Sequence, residues 1–202
     1  MFEVNAVELQ ECLTEDLKAG LTPMVSSSPG MGKSDIIRTI ADKFKLKVID
    51  FRVSQCEPGN KQTEAAAYKL ILDREVYKHK LHARCLIAAA GNLTTDRAIV
   101  NTQSTATTSR LTHYRMRVDH KVWVDWANSH NIDHRIVSLI KFKPELLHRF
   151  DTSTNELTFP CPRTWEFASK VIKTEDKIDR LTTIRLAGTV GEGAAVELTT
   201  YS

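Results

Sequence analysis

The sequence predicts an α/β fold: a parallel sheet with flanking helices, followed by an all-helical part. Three observations predict it. The first is the run Ser28-Pro29-Gly30-Met31-Gly32-Lys33-Ser34, which fits the second half of the phosphate-loop template G-x-x-x-x-G-K-[ST] and leaves Ser27 at its first position. The second is what flanks that run. Pro23-Met24-Val25-Ser26 is a short apolar approach that suits a strand, and Ile36, Ile37, Ile40, Ala41 and Phe44 recur at helical spacing after it. The third is the alternation of strand-like and helix-like patterns up to about Val118, with helical patterns alone from there on. That alternation implies a parallel sheet with ligand at the strands' carboxyl ends.

The loop's residue types carry its chemistry. Glycines let backbone N–H groups turn inward around an anion. The candidate nucleotide-binding residues are therefore Pro29, Gly30, Met31, Gly32, Lys33 and Ser34. The Lys33 ammonium reaches for the outer phosphates and is a candidate catalytic group. Ser34 stands at a helix N-terminus, where the dipole favours negative charge, and its hydroxyl is a candidate Mg²⁺ ligand.

Element by element, residues 7–17 read as an amphipathic helix ahead of the first strand. Residues 47–53, Lys-Val-Ile-Asp-Phe-Arg-Val, read as a second strand, and Glu57-Pro58-Gly59-Asn60 as a turn. Residues 63–77 are rich in helix formers. Residues 84–90 form a continuous apolar run ending at Gly91-Asn92, as in a buried parallel strand with a polar residue at its carboxyl end. Residues 101–108 are polar and loop-like, and residues 113–118 alternate as a strand. Residues 121–130 and 132–142 read as two helices split near Asn131. Pro144 opens a short helix, residues 151–162 an irregular connection, and residues 163–172 and 177–186 two further helices. Gly188 to Gly193 reads as a turn before a last helix starting at Ala194. The division expected is an α/β domain over 1–119 and a helical domain over 120–202, the latter incomplete at its C-terminus.

Composition bounds the function. The chain has 202 residues, 42% of them hydrophobic, enough for a sizeable core. Its net charge of +3 does not by itself imply nucleic acid. No stretch is long and apolar enough to span a membrane, and the N-terminus lacks the pattern of a secretory signal. The four cysteines, Cys12, Cys56, Cys85 and Cys161, have no zinc-site spacing and read as reduced, mostly buried thiols of a cytosolic protein. His130 and His134 stand four apart, but no partner is spaced to complete a metal site. Trp123 and Trp126 read as core.

The chain resembles the MoxR-like group of AAA+ ATPases, in the form common in bacteriophages. The phosphate loop carries the resemblance together with residues 64–74, Ala89-Ala90-Gly91-Asn92, Thr95-Asp96-Arg97-Ala98, Ser109-Arg110-Leu111, Pro162-Arg163-Thr164-Trp165-Glu166-Phe167 and residues 188–193. The match is collinear over nearly the whole chain. It implies an AAA+ parallel sheet with a small helical lid, the cofactors ATP and Mg²⁺, a homo-oligomeric ring, a protein substrate for chaperone-like remodelling, and a location in the host cytoplasm. Asn92 corresponds to the sensor-1 residue that orients the attacking water. Arg110 corresponds to the arginine finger that acts on nucleotide held by a neighbouring subunit. Arg163 corresponds to sensor 2, reaching the phosphates from the lid. A cation near a helix N-terminus is disfavoured by the dipole, which is consistent with a ligand-facing Arg163.

One departure stands out against that family. An ATPase of this kind needs a Walker B element, an apolar strand ending in Asp-Glu. Residues 70–75, Leu-Ile-Leu-Asp-Arg-Glu, imitate it, but Arg74 occupies the place of the Glu and the preceding alanines favour helix, so Asp73 is rejected. The family's Walker B segment falls where this chain joins Pro58 to Gly59 directly. Either the sequence lacks residues the functional protein has, or it is a degenerate member with a repacked sheet. Two functions follow: an ATPase that remodels a protein, or a nucleotide-binding oligomeric scaffold that hydrolyses little. A nucleic-acid motor ranks last, because the basic stretches 110–121 and 141–143 are short and not interleaved with aromatics.

Overall fold

The computed structural model describes residues 2–50, 69–76, 78–93, 108–151, 153 and 157–202. Four parallel strands form the main sheet: β1 (Glu3–Val4), β2 (Pro23–Ser27), β5 (Ala89–Asn92) and β6 (Thr112–Met116), in the spatial order β1-β6-β2-β5. The strand that leads into the Gly-rich loop at 28–34 is thus internal among the described strands. It pairs with β5 on one side, Met24 opposite Ala89 and Ser27 opposite Asn92, and with β6 on the other, Pro23 opposite Thr112. The chain runs from β2 to one neighbour and then crosses to the other, so strand order reverses at β2. In open α/β sheets, ligands sit outside the carboxyl ends of strands at such a reversal.

Helix α1 (Ala6–Lys18) starts with a complete capping box: Asn5 accepts from the N–H of Glu8, and the Glu8 carboxylate accepts from the N–H of Asn5. It buries Leu9 and Leu13. Asp16 near its end accepts hydrogen bonds from the hydroxyls of Thr112 and Tyr114, which ties α1 to β6. Burial, and then the hydrogen bond to Asp16, push the Tyr114 phenol up to about 12. Helix α2 (Lys33–Lys43) follows the loop and buries Ile40 and Ala41. These elements enclose one apolar cluster of Leu9, Leu13, Val25, Met31, Ile40 and Met116.

Among the described residues, five α-helices and a 3₁₀ turn follow the sheet: α3 (His120–Ser129), α4 (His134–Phe142), the 3₁₀ turn (Pro144–Leu147), α5 (Pro162–Ile172), α6 (Arg180–Val190) and α7 (Glu192–Tyr201) close a second cluster around the fully buried Trp165. The indole N–H of Trp165 donates to the Leu146 carbonyl at 2.8 Å. Val118 packs against both clusters. Among the described residues no helix is long and apolar enough to cross a membrane.

Several expected elements are corrected. Residues 47–50 form no strand and are exposed, with Ile49 85% exposed, while residues 51–53 lie outside the described residues. The propensity of a β-rich run is realised only against a partner strand. Of the helix expected over 63–77, residues 63–68 lie outside the described residues, 69–73 are helical, and the helix stops there, because Arg74 takes a left-handed φ of 56° and residues 75–76 pair antiparallel with 79–80 as strands β3 (Glu75–Val76) and β4 (His79–Lys80). The expected strand over 84–90 begins only at Ala89 and includes Gly91 and Asn92. The strand is half-exposed, not buried, and among the described residues it is the outer strand of the four. The turn at 188–193 reduces to Gly191, whose φ of 86° separates α6 from α7. Trp123 is core, but Trp126 is partly exposed and stacks on His130 at 4.5 Å between ring centroids. Cys161 is buried as expected, whereas Cys85 is exposed. The expected turn at 57–60 and Cys56 lie outside the described residues.

The helical half is held by a partly buried ion pair. The Arg135 guanidinium grips both carboxylate oxygens of Asp133 at 2.9 Å and donates to the carbonyls of Ile172 and Glu175, past the end of α5. The Asp133 N–H donates to the buried Ser169 hydroxyl. Burial alone would raise the Asp133 pKa, but the hydrogen bonds and charge of Arg135 outweigh it, and the carboxyl is held below its ordinary value. The unfolded chain therefore binds the proton first, so this contribution is complete above about pH 4 and is lost as pH falls through the folded value. Arg135→Ala should cost about 1–2 kcal/mol by urea unfolding at neutral pH, because it leaves a partly buried carboxylate without its charged partner. The same variant should show a flatter loss of stability between pH 4 and the acid transition.

Candidate functional site

The site is the carboxyl edge of β2 and β5. Val25 and Met31, one residue from each side of the turn, are both buried in the first apolar cluster, so the loop is anchored at two points. The backbone turns at Gly30, φ 77°, just before Met31, and again at Gly32, φ 82°, just after it and immediately before α2. Both are conformations that side chains with a Cβ adopt at a cost. An added Cβ on Gly32 would meet nothing within 4 Å, so that face of the loop is open.

Lys33 is the centre of the arrangement. Its ammonium donates to the Ser27 hydroxyl at 2.8 Å, the Ser27 carbonyl at 3.0 Å, the Ser28 carbonyl at 3.2 Å and the Asn92 amide oxygen at 3.2 Å. Asn92 reaches it because the parallel register sets Asn92 beside Ser27. The lysine and the amide, 59 residues apart in sequence, thus meet at one sheet edge. Ser34 is exposed at the first turn of α2, next to Asp35, which pairs with Arg38. The loop backbone, a cation and an adjacent hydroxyl together form a set of donors for a phosphate chain with a divalent cation beside it.

The helical half reaches the loop as well. The backbone N–H of Arg163 donates to the Gly30 carbonyl at 3.2 Å. Cys161, the residue before α5, lies so close that a Cβ on Gly30 would stand 2.3 Å from its sulfur. Arg163 is therefore brought beside the loop through its main chain, and its side chain is exposed.

Arg110 is not brought to this edge. It precedes β6 by two residues, and Thr112 is opposite Pro23, at the amino end of β2. Arg110 therefore occupies the opposite edge of the sheet from Lys33 and is exposed there. Asp73 lies in the helical residues 69–73, not at the end of a strand.

Two contacts were missed by sequence reasoning. Ser27 was read only as a departure from a template, yet it is fully buried and is the nearest partner of Lys33. The signal was its template position beside the loop. Cys161 carried a weaker signal, its place before Pro162 at a helix start. Neither the family models nor the curated proteins with which the chain was compared match its sequence.

The close approach at Gly30 generates a test. Gly30→Ala adds both a left-handed penalty and a clash with Cys161, and should cost about 2–4 kcal/mol by urea unfolding. Gly32→Ala, with open space around it, should cost only the conformational part, about 1–2 kcal/mol. Adding Cys161→Ala to Gly30→Ala should recover part of the difference. Equal costs for the two single variants would show that the helical half does not press on the loop.

Proposed function

We propose that the chain binds ATP with Mg²⁺ at the β2–α2 loop and acts as a MoxR-like AAA+ ATPase, coupling hydrolysis to remodelling of a protein partner within a homo-oligomeric ring. The observation that carries this reading is the meeting of Lys33 and Asn92 at the carboxyl edge of an internal parallel strand. In this reading the loop N–H groups and Lys33 bind the phosphates. Ser34 ligates the metal, which when bound would polarise the terminal phosphate. Asn92 orients the attacking water.

The position of Arg110 supports a role between subunits. A cation at the far edge of the sheet cannot serve the loop of its own chain, so a finger role for it requires a neighbouring copy. The contact of Gly30 with Cys161 and the Arg163 backbone supports a helical domain that senses the loop, the expected role of a lid.

One observation favours the second reading, a nucleotide-binding scaffold that hydrolyses little. Among the described residues, the four strands of the sheet end in Val4, Ser27, Asn92 and Met116, and none ends in an acid. The two readings share the binding step and differ in turnover.

Calorimetric binding of ATP with Mg²⁺, run beside a phosphate-release assay, tests both. Wild type should bind, and Lys33→Ala should weaken binding by about tenfold or more, the worth of hydrogen bonds from a charged donor. Turnover abolished by Lys33→Ala selects the ATPase. Binding without turnover selects the scaffold. No binding by wild type overturns both.

A further inference from the structure

The geometry points to Ser27 as a positioning residue that holds Lys33 away from an incoming phosphate and so sets the affinity of the loop, an inference that rests on the nucleotide-binding reading above. An ammonium group has three protons to donate. Three of the oxygens within reach of Lys33 are fixed in place: the Ser27 carbonyl, the Ser28 carbonyl and the Ser27 hydroxyl. The two carbonyls belong to the chain leaving β2. The hydroxyl is fixed because Ser27 is fully buried and gives its own proton to the Ser28 carbonyl at 3.0 Å. The fourth oxygen, from Asn92, belongs to an exposed side chain that can turn toward a ligand.

The hydroxyl therefore completes a set of three fixed acceptors for three protons, and it is the closest of them. A phosphate oxygen competes with these fixed acceptors for the ammonium protons. A charged donor that is partly withdrawn from solvent gives up such a bond reluctantly. Glycine, the template residue at this position, brings no hydroxyl and would remove the shortest of these fixed restraints. Ser27 thus replaces a permissive residue with a restraint on the lysine that the site depends on.

The test compares Ser27→Ala, Ser27→Gly and Ser27→Thr with wild type in the full chain. It measures calorimetric affinity for ATP with Mg²⁺ and, without nucleotide, hydrogen exchange of the Lys33 ammonium by ¹⁵N NMR. Ser27→Ala and Ser27→Gly should each tighten binding about fivefold, the effect of one modest hydrogen bond released. Ser27→Thr, which keeps the hydroxyl, should stay within about twofold of wild type. Lys33 ammonium exchange should quicken in the Ala and Gly variants and not in Thr, a change that a merely structural role would not produce.

If wild type binds ATP in a Lys33-dependent way and Ser27→Ala binds no tighter, the inference falls and the nucleotide reading stands. Tightening by Gly alone assigns the effect to backbone freedom and also overturns it. Should Ser27→Ala fail to fold, judged by its melting curve, the contrast of Gly with Thr in Lys33 exchange decides instead. If neither wild type nor any variant binds ATP, the nucleotide reading falls and this inference with it.

Discussion

The parallel pairing of β2 on both of its sides is the constraint on which the site depends. An internal parallel strand must satisfy its main-chain groups on both edges, and β2 does so against β5 and β6. That pairing fixes the register of Ser27 with Asn92, and hence the distance from Lys33 to the Asn92 amide. It also sends Arg110 to the opposite edge. A slip of one residue in β5 would turn the Asn92 side chain to the other face of the sheet, and the meeting with Lys33 would be lost.

Energetically, the loop is a strained turn held by its two ends. Val25 and Met31 bury apolar side chains in one cluster, while the turn takes positive φ at the two glycines that flank Met31. The helical half adds a third restraint where Cys161 and the Arg163 main chain meet Gly30. Side-chain packing and backbone conformation thus converge on seven residues. This coupling is physical contact, so any change in the loop is felt at the start of α5. The Asp133–Arg135 pair then links the far end of α5 to the start of α4, which makes the helical half respond as a unit.

How much of this was legible in the sequence differs by element. Most helices lie within two residues of their expected bounds, 7–17 as α1 and 163–172 as α5, whereas the helix expected over 177–186 runs from Arg180 to Val190 because Asp179 caps it. Strands were harder. Residues 47–50 carry strand-forming side chains and remain exposed, whereas Ala89-Ala90-Gly91-Asn92, with little strand propensity, pair with β2. Local propensity describes a preference, and a strand exists only where a partner offers its edge.

The sequence by itself determined the Gly-rich turn between a strand and a helix, with its lysine and serine, and the alternation that makes an α/β sheet followed by helices. These follow from residue types at fixed local spacing, where the physics is that of a turn, a cap or a helix face. Only the tertiary structure decided that Asn92 meets Lys33, that Arg110 does not, that Cys161 presses on Gly30 and that Ser27 is the nearest partner of the lysine. Each of these is a contact between segments far apart in sequence, or depends on burial that such contacts create. Strand order and register set them, and neither is written in the local pattern of side chains.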